Sequence, residues 1–114
     1  MDKVSIIVRT CGRPEVLRGA LESIRKQTYP DVETVVIEDG LEISRQMICT
    51  EYSDLQLRYI STGKRVGRAK AGNLGMKVAQ GKYLNFLDDD DVLYPEHIEI
   101  LLQTLQSAEE KAVY

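Results

Sequence analysis

Short apolar runs alternate along this chain with segments whose apolar residues recur at helical spacing. The runs predicted to form strands are Val4 to Val8, Glu33 to Glu38, Leu57 to Ile60 and Tyr83 to Leu87. The segments predicted to form helices are Pro14 to about Gln27, Glu42 to Glu51, Ala69 to Ala79, and a last one that opens at Pro95 and continues through Leu105. Lys111 to Tyr114 is expected to begin one more strand. Because such regular alternation requires right-handed crossovers, it predicts an α/β fold: a doubly wound, mainly parallel sheet with flanking helices, in three α/β/α layers.

The size and composition narrow the class of protein further. The chain has 114 residues, 43% hydrophobic and 29% charged, which predicts one globular domain with an ordinary core. A net charge of -3 argues against a nucleic-acid partner. No apolar stretch approaches the length of a membrane span, and Cys11 and Cys49 form neither a metal-binding pattern nor a disulfide framework. A reducing, cytoplasmic location is therefore expected.

Four consecutive aspartates, Asp88 to Asp91, directly follow the last predicted strand. Adjacent carboxylates repel one another at neutral pH, and a hard divalent cation removes that repulsion because it prefers oxygen ligands. The plainer alternative is a solvated acidic loop that also caps the helix after Pro95. The position of the tract at a strand end favours a site for Mg²⁺, Mn²⁺ or Ca²⁺.

Polar residues follow two other predicted strands. Arg9-Thr10-Cys11 ends the first strand, and Glu38-Asp39-Gly40 ends the second. Since ligands of open parallel sheets bind outside the carboxyl ends of the strands, we expect these residues and the aspartates to form one pocket. Basic residues precede or open the third helix, where phosphate is favoured: Arg65, Arg68 and Lys70. A metal beside basic side chains suits a diphosphate group.

Motifs in this order along nearly the whole chain resemble those of a known family. The matching segments are Val4-Ser5-Ile6-Ile7-Val8-Arg9-Thr10, Arg13-Pro14-Glu15, Ala20 to Ile24, Gln27-Thr28-Tyr29-Pro30, Val35 to Gly40, Asn73-x-Gly75, Ala79-x-Gly81-Lys82-Tyr83, Phe86 to Asp91 and Pro95-Glu96. Each motif is weak alone, whereas the ordered set is specific. By these motifs the chain resembles the family 2 glycosyltransferases.

The resemblance implies that the sheet is the Rossmann-like half of a GT-A fold, which binds a nucleotide-diphosphate sugar. It implies metal-dependent transfer of the sugar, with inversion, to an acceptor. The expected donor is a UDP-sugar, and the expected cofactor is Mg²⁺ or Mn²⁺. The acceptor, whether a sugar, a lipid or a protein, is not identified by the resemblance.

The resemblance also implies roles for individual residues. Asp88 and Asp90 fall on the two aspartates of the Asp-x-Asp signature, and Asp90 with Asp88 is expected to bind the metal. Asp39 is expected to contact the nucleotide base, with Thr10 at the edge of the same pocket. Asp88 or Asp89 is expected to hold the ribose or to support the metal ligands. The residues expected to bind the donor nucleotide are thus Thr10, Arg13, Asp39, Arg68, Asp88 and Asp89.

Some positions depart from the family pattern. Glu38 replaces a frequent aspartate, which keeps the charge. In the segment from Gly40 to Ile43 the usual polar helix cap is missing or altered. Gly72 stands where Arg or Leu is common, so any basic contact is expected to shift to Arg68 or Lys70.

The general base of an inverting transferase is expected beyond residue 114, because in the family it follows the segment that matches the last predicted strand. Residues 1–114 are therefore expected to form a single donor-binding domain, truncated before the acceptor half. Such a unit would expose a sheet edge and could self-associate through it. Missing regions or partners could also place it at the cytoplasmic face of a membrane.

Three alternatives remain open from the sequence. They are a metal-dependent nucleotidyltransferase, a receiver-like signalling module and a non-catalytic nucleotide-binding module.

Several single residues are expected to have structural roles only. Cys11 is expected to be a small buried residue, and His97 to lie on the surface. Asn73 and Gly75 are expected to serve helix packing.

Overall fold

A computed structural model describes residues 2–108 of the chain, with side chains described through Leu105. Four strands and four helices alternate along it. The strands are β1 (Val4–Thr10), β2 (Val32–Glu38), β3 (Leu57–Ser61) and β4 (Tyr83–Asp88). The helices are α1 (Pro14–Arg25), α2 (Arg45–Glu51), α3 (Arg68–Val78) and α4 (His97–Ala108). The predicted strand from Lys111 to Tyr114 lies outside the described residues.

The four strands form one parallel sheet in the order β3-β2-β1-β4. The predicted α/β class and mainly parallel sheet are confirmed. The chain winds outward from β1 to β3 and then returns to the other side of β1. The crevice between the carboxyl ends of β1 and β4 is therefore a switch point, where such sheets bind ligands. Within the described residues, β3 and β4 are the two edges, so the expected self-association stays a prediction.

Helices cover both faces of the sheet, which gives the predicted three layers. One core joins alternate strand residues such as Ile6, Val8 and Val36 to the buried sides of α1, α2 and α4. The other core places Ile7, Val35 and Ile37 against α3. This alternation arises because successive side chains of a strand point to opposite faces.

The helices form where apolar spacing and start signals agree. In α1, Pro14 stands at the first turn, where its missing N–H costs nothing, and Leu17, Leu21 and Ile24 lie on the buried side. Helix α3 approaches the sheet closely at Gly75, where a methyl group would come within 2.5 Å of Cγ2 of Ile7. The predicted packing role of Gly75 agrees with this contact. Asn73 is exposed, so it does not share that role.

Two helices begin later than the sequence predicts. Helix α2 starts at Arg45 instead of Glu42, because Glu38 binds the backbone N–H of Ser44 and holds the preceding loop outside the helix. Helix α4 starts at His97 instead of Pro95, whose carbonyl accepts a hydrogen bond from the backbone N–H of Thr28. No helix within residues 2–108 is both long and apolar enough to span a membrane.

Candidate functional site

The carboxyl ends of β1, β2 and β4 meet at one open cleft of about 270 Å³. The predicted convergence of these three strand ends is therefore seen in the structure. The residues to which the family resemblance assigned donor or metal binding all line this cleft. The full lining is Arg9, Thr10, Cys11, Arg13, Asp39, Arg65, Arg68, Ala71, Asp88, Asp89 and Asp90.

The aspartate tract divides into one buried residue and three that face outward. Asp89 is only 3% exposed. Its Oδ2 accepts hydrogen bonds from the Thr10 hydroxyl at 2.8 Å and from Nε of Arg13 at 3.2 Å. A second Arg13 nitrogen donates to its Oδ1. Both carboxylate oxygens of Asp89 are thus engaged by protein groups, and Asp89 ties the turn after β4 to the end of β1.

The other three carboxylates form a group that could hold a cation. Asp88, Asp90 and Asp91 each offer an oxygen, and these oxygens lie within 4.8 Å of one another. Asp90 and Asp91 are exposed, while Asp88 is half-buried. An all-oxygen set of this kind fits a hard cation such as Mg²⁺ or Mn²⁺. The predicted pair of Asp90 and Asp88 lies inside this group.

Two arginines bind Asp88. A terminal nitrogen of Arg68 lies 2.8 Å from each oxygen of the carboxylate. A terminal nitrogen of Arg9 donates to Oδ1 from 3.2 Å. Positive charge therefore stands directly beside the carboxylate group.

Asp39 organises the loop between β3 and α3. Its Oδ1 accepts from the backbone N–H of Val66 at 2.8 Å and from the Thr62 hydroxyl at 3.2 Å. Its Oδ2 accepts from the N–H of Gly67 at 3.0 Å. The hydrogen bond from Val66, helped by those from Gly67 and Thr62, outweighs the effect of burial and lowers the pKa of Asp39 below its usual value. The ionised carboxylate thus fixes the basic loop that carries Arg65 beside the cleft.

Glu38 lies beneath the cleft as a fully buried carboxylate. It accepts from the backbone N–H of Gly12 at 3.1 Å and of Ser44 at 2.8 Å. The hydroxyls of Ser44 and Tyr59 also donate to it. One side chain therefore joins the loop after β1, the loop after β2 and strand β3. Ser44 precedes α2 without a side-chain cap, as the altered segment from Gly40 to Ile43 predicted, because its hydroxyl serves Glu38.

Only some of the basic residues that were expected to meet phosphate lie at the cleft. Arg65 and Arg68 line the cleft, whereas Lys70 is exposed and lies outside the lining. Arg9, for which no separate role was predicted, lines the cleft and contacts the acidic group. A charged residue at the end of the apolar run Val4 to Val8 was the signal that could have identified it.

Two structural expectations are wrong. Cys11 is exposed and lines the cleft, because it follows the last residue of β1 and lies in the turn above the sheet edge. His97 is half-buried instead of lying on the surface, since the start of α4 packs against β4. Its Nε2 lies 3.3 Å from Oδ1 of Asn85, and burial lowers its pKa.

Comparison with known proteins places these observations in a family. A family model described as Glycosyl transferase family 2 matches residues 5–114. The glycosyltransferase GlyG of Streptococcus pneumoniae serotype 4 is 30% identical over 114 residues, which cover 98% of this chain and 38% of GlyG. The chain therefore spans well under two thirds of the length of this relative.

Solved structures are similar over the same region. A crystal structure of residues 1–349 of S. aureus TarS in complex with UDP-GlcNAc superposes with a TM-score of 0.85 and 26% identity, covering 94% of this chain and 32% of the other. The mannosyltransferase PcManGT from Pyrobaculum calidifontis, solved with GDP-Man and Mn²⁺, gives a TM-score of 0.73 and 25% identity over 80% of this chain and 28% of the other.

Proposed function

The chain belongs to glycosyl transferase family 2, and on that premise we propose that its cleft binds the nucleoside diphosphate of a sugar donor together with Mg²⁺ or Mn²⁺. The observation that carries the proposal is the meeting of three carboxylates with basic side chains at one sheet edge. Asp88, Asp90 and Asp91 supply oxygen ligands. Arg65 and Arg68 stand at the same cleft. In this arrangement the carboxylates bind the cation, and the arginines bind the diphosphate.

In this proposal Asp90 and Asp88 hold the cation. Asp90 is exposed, and its carboxylate has no hydrogen-bond partner among the described residues, so a cation reaches it without displacing a protein contact. Asp88 is shared with arginines and becomes a ligand when Arg68 turns toward the diphosphate. When bound, the cation would neutralise the diphosphate as it leaves the sugar.

The remaining predicted residues bind the nucleotide in this proposal. Asp39 contacts the base with a lone pair that its loop contacts leave available, and Thr10 borders the same part of the cleft. Asp89 is buried and already bound by Thr10 and Arg13, so it supports the site from below by fixing Arg13, and Asp88 holds the ribose. UDP is the proposed nucleoside diphosphate, because the similar TarS structure contains UDP-GlcNAc.

The full reaction is proposed to be an inverting sugar transfer in which this chain supplies donor and metal binding. Residues 1–114 would form the donor-binding domain, and the acceptor and general base would lie in other parts of the protein. The chain covers 38% of GlyG and 32% of the TarS chain, which supports this division. We further propose a cytoplasmic location, where nucleotide-sugar donors are available.

Calorimetric titration tests this proposal. UDP, GDP and dTDP are titrated into the protein with and without Mn²⁺, and UDP is expected to bind more tightly when Mn²⁺ is present. Asp90→Asn is expected to remove that dependence. Glu96→Gln is the matched control, because Glu96 is an exposed carboxylate outside the cleft lining. Absence of manganese-dependent binding for all three nucleotides would reject the proposed function.

A further inference from the structure

Arg9 lies in a slot between α3 and β4. The parallel register pairs Arg9 of β1 directly with Asp88 of β4, so both side chains point to the α3 face of the sheet. Helix α3 passes over this point with Gly72. A methyl group at Gly72 would lie 3.6 Å from Nη1 of Arg9 and 3.7 Å from its Cδ. A methyl group would therefore fit against Arg9, whereas a larger side chain at Gly72 would compete with the guanidinium for this space.

Arg9 is much less exposed to solvent than Arg68, the second arginine that contacts Asp88. The side chain of Arg9 is 24% exposed, against 68% for Arg68. The Arg9 guanidinium lies 5.5 Å from the centre of the Phe86 ring, within the range of a cation–π contact. Its Nε is buried and has no hydrogen-bond partner within the described part of the chain. A terminal nitrogen of the same guanidinium donates to Oδ1 of Asp88, so the packed side chain is directed toward that oxygen.

We propose that Arg9 is a positioning residue of the cation site, which fixes Oδ1 of Asp88 while the exposed Arg68 exchanges between Asp88 and the diphosphate. This inference rests on the proposed function and goes beyond it by giving the two arginines different roles. Arg68 contacts both oxygens of Asp88, so its departure frees Oδ2 for the cation. Arg9 remains on Oδ1 and keeps the carboxylate from rotating away.

A positioning role depends on geometry as well as on charge, and the variants are chosen to separate the two. Arg9→Met removes both. Arg9→Lys keeps the charge but loses the planar fork that spans Gly72, Phe86 and Asp88. Gly72→Leu keeps Arg9 itself and fills the slot, which displaces the guanidinium. Gly72→Ala is its control, because the added methyl would make only ordinary van der Waals contacts.

The readout is the increase in UDP affinity caused by Mn²⁺, measured by calorimetry. Arg9→Met, Arg9→Lys and Gly72→Leu are each expected to reduce this increase about tenfold or more, the usual effect of losing a residue that orients a metal ligand. Gly72→Ala is expected to match the parent chain. Lys70→Met, which removes a positive charge from the exposed side of the same helix, is expected to do the same.

Two results would overturn the inference. If Arg9→Lys and Gly72→Leu both match the parent while Arg9→Met does not, Arg9 acts only as a charge. If Arg9→Met itself matches the parent, Arg9 has no role in the site. Should Gly72→Leu fail to fold, Arg9→Lys alone decides between geometry and charge.

A second measurement needs no ligand and so separates this inference from the proposed function. Melting temperatures are compared for Arg9→Met, Asp88→Asn and the double variant. If Arg9 holds Asp88, the double variant loses less than the sum of the two single losses. Additive losses would contradict the inference even if nucleotide binding is confirmed. Coupled losses would support the Arg9–Asp88 contact even if the parent chain binds no UDP.

Discussion

The hydroxyl of Thr10 donates a hydrogen bond of 2.8 Å to the buried carboxylate of Asp89. These residues stand one step beyond the last pair of the β1–β4 register, Arg9 with Asp88. Successive residues of a strand point to opposite faces, so Asp88 turns toward α3 and Asp89 toward α1. Neighbouring aspartates of one tract therefore have different roles. Asp89 holds the ends of β1 and β4 together, and Asp88 belongs to the open acidic group.

Thr10→Val is expected to lower the free energy of unfolding by about 1 to 2 kcal/mol, since it leaves the buried Asp89 without one of its donors. The two side chains have nearly the same shape, so packing changes little. Chemical denaturation in urea measures the difference. Thr10→Ser restores the hydroxyl and is expected to regain most of the loss. A valine variant as stable as the parent would show that this hydrogen bond contributes nothing.

The different environments of Asp89 and Asp90 predict that Asp89 contributes mainly to stability and Asp90 mainly to cation binding. Asp89→Asn is expected to cost about 1 to 2 kcal/mol, because an amide cannot accept all the hydrogen bonds from Thr10 and Arg13. Asp90→Asn is expected to change stability by less than about 0.5 kcal/mol, because Asp90 is exposed, and to weaken Mn²⁺ binding. Denaturation and Mn²⁺ titration of both variants check the pair. The opposite assignment of effects would contradict the geometry described for the two side chains.

The sequence predicts the sheet, the order of elements and the convergence of Thr10, Asp39 and the aspartate tract, because these depend on local periodicity and on the rules for parallel sheets. It also contained the signal that divides the tract. Tyr83, Asn85, Leu87 and Asp89 are the buried alternate residues of β4 and its extension. Continuing this alternation into the acidic tract predicts that Asp89 is buried, whereas the acidic composition alone predicts that all four aspartates are exposed.

Other features of the site depend on contacts between distant parts of the chain. Glu38 becomes a structural centre only through the backbone of Gly12 and the side chain of Tyr59, which no local pattern identifies. Arg9 contacts Asp88 while packed against Gly72, which belongs to a helix far along the chain. The family pattern at Gly72 pointed only to Arg68 or Lys70, the basic residues that shortly precede it in the chain.

Glu38→Gln is expected to destabilise the protein by about 2 kcal/mol or more, because the network around this residue is fully buried. The glutamine amide has nearly the same size, but its NH₂ group must face N–H or hydroxyl donors from Gly12, Ser44 or Tyr59. Denaturation in urea measures the loss. Ser44→Ala removes a single donor and is expected to cost less. A glutamine variant as stable as the parent would show that the second acceptor oxygen of Glu38 is not needed for the loops above it.

The lowered pKa of Asp39 predicts how the stability of the protein depends on pH. Its folded pKa lies below the unfolded value of about 3.9, so its contribution is fully present above that pH and is lost as pH falls through the folded pKa. Asp39→Asn lacks this contribution at every pH. The free energy of unfolding is therefore expected to fall less in Asp39→Asn than in the parent between about pH 6 and pH 2.

Urea denaturation at several pH values checks this expectation. Thr62→Val removes one of the three donors to Asp39 and should give an intermediate result. A constant difference between the parent and Asp39→Asn across the whole pH range would contradict the lowered pKa, since the two proteins would then lose stability in parallel.

The most direct test of the account is the location of Mn²⁺, followed by paramagnetic broadening of backbone amide signals with and without UDP. We expect the amides of Asp88, Asp90 and Asp91 to broaden first, followed by those of Thr10 and Gly67, and UDP to lower the Mn²⁺ concentration that this requires. Signals at the amino ends of the strands, such as those of Val4 and Val32, should remain sharp. Broadening centred on other acidic residues, such as Glu51 and Asp54, or unchanged by UDP, would contradict a shared metal and donor site at the carboxyl ends of β1, β2 and β4.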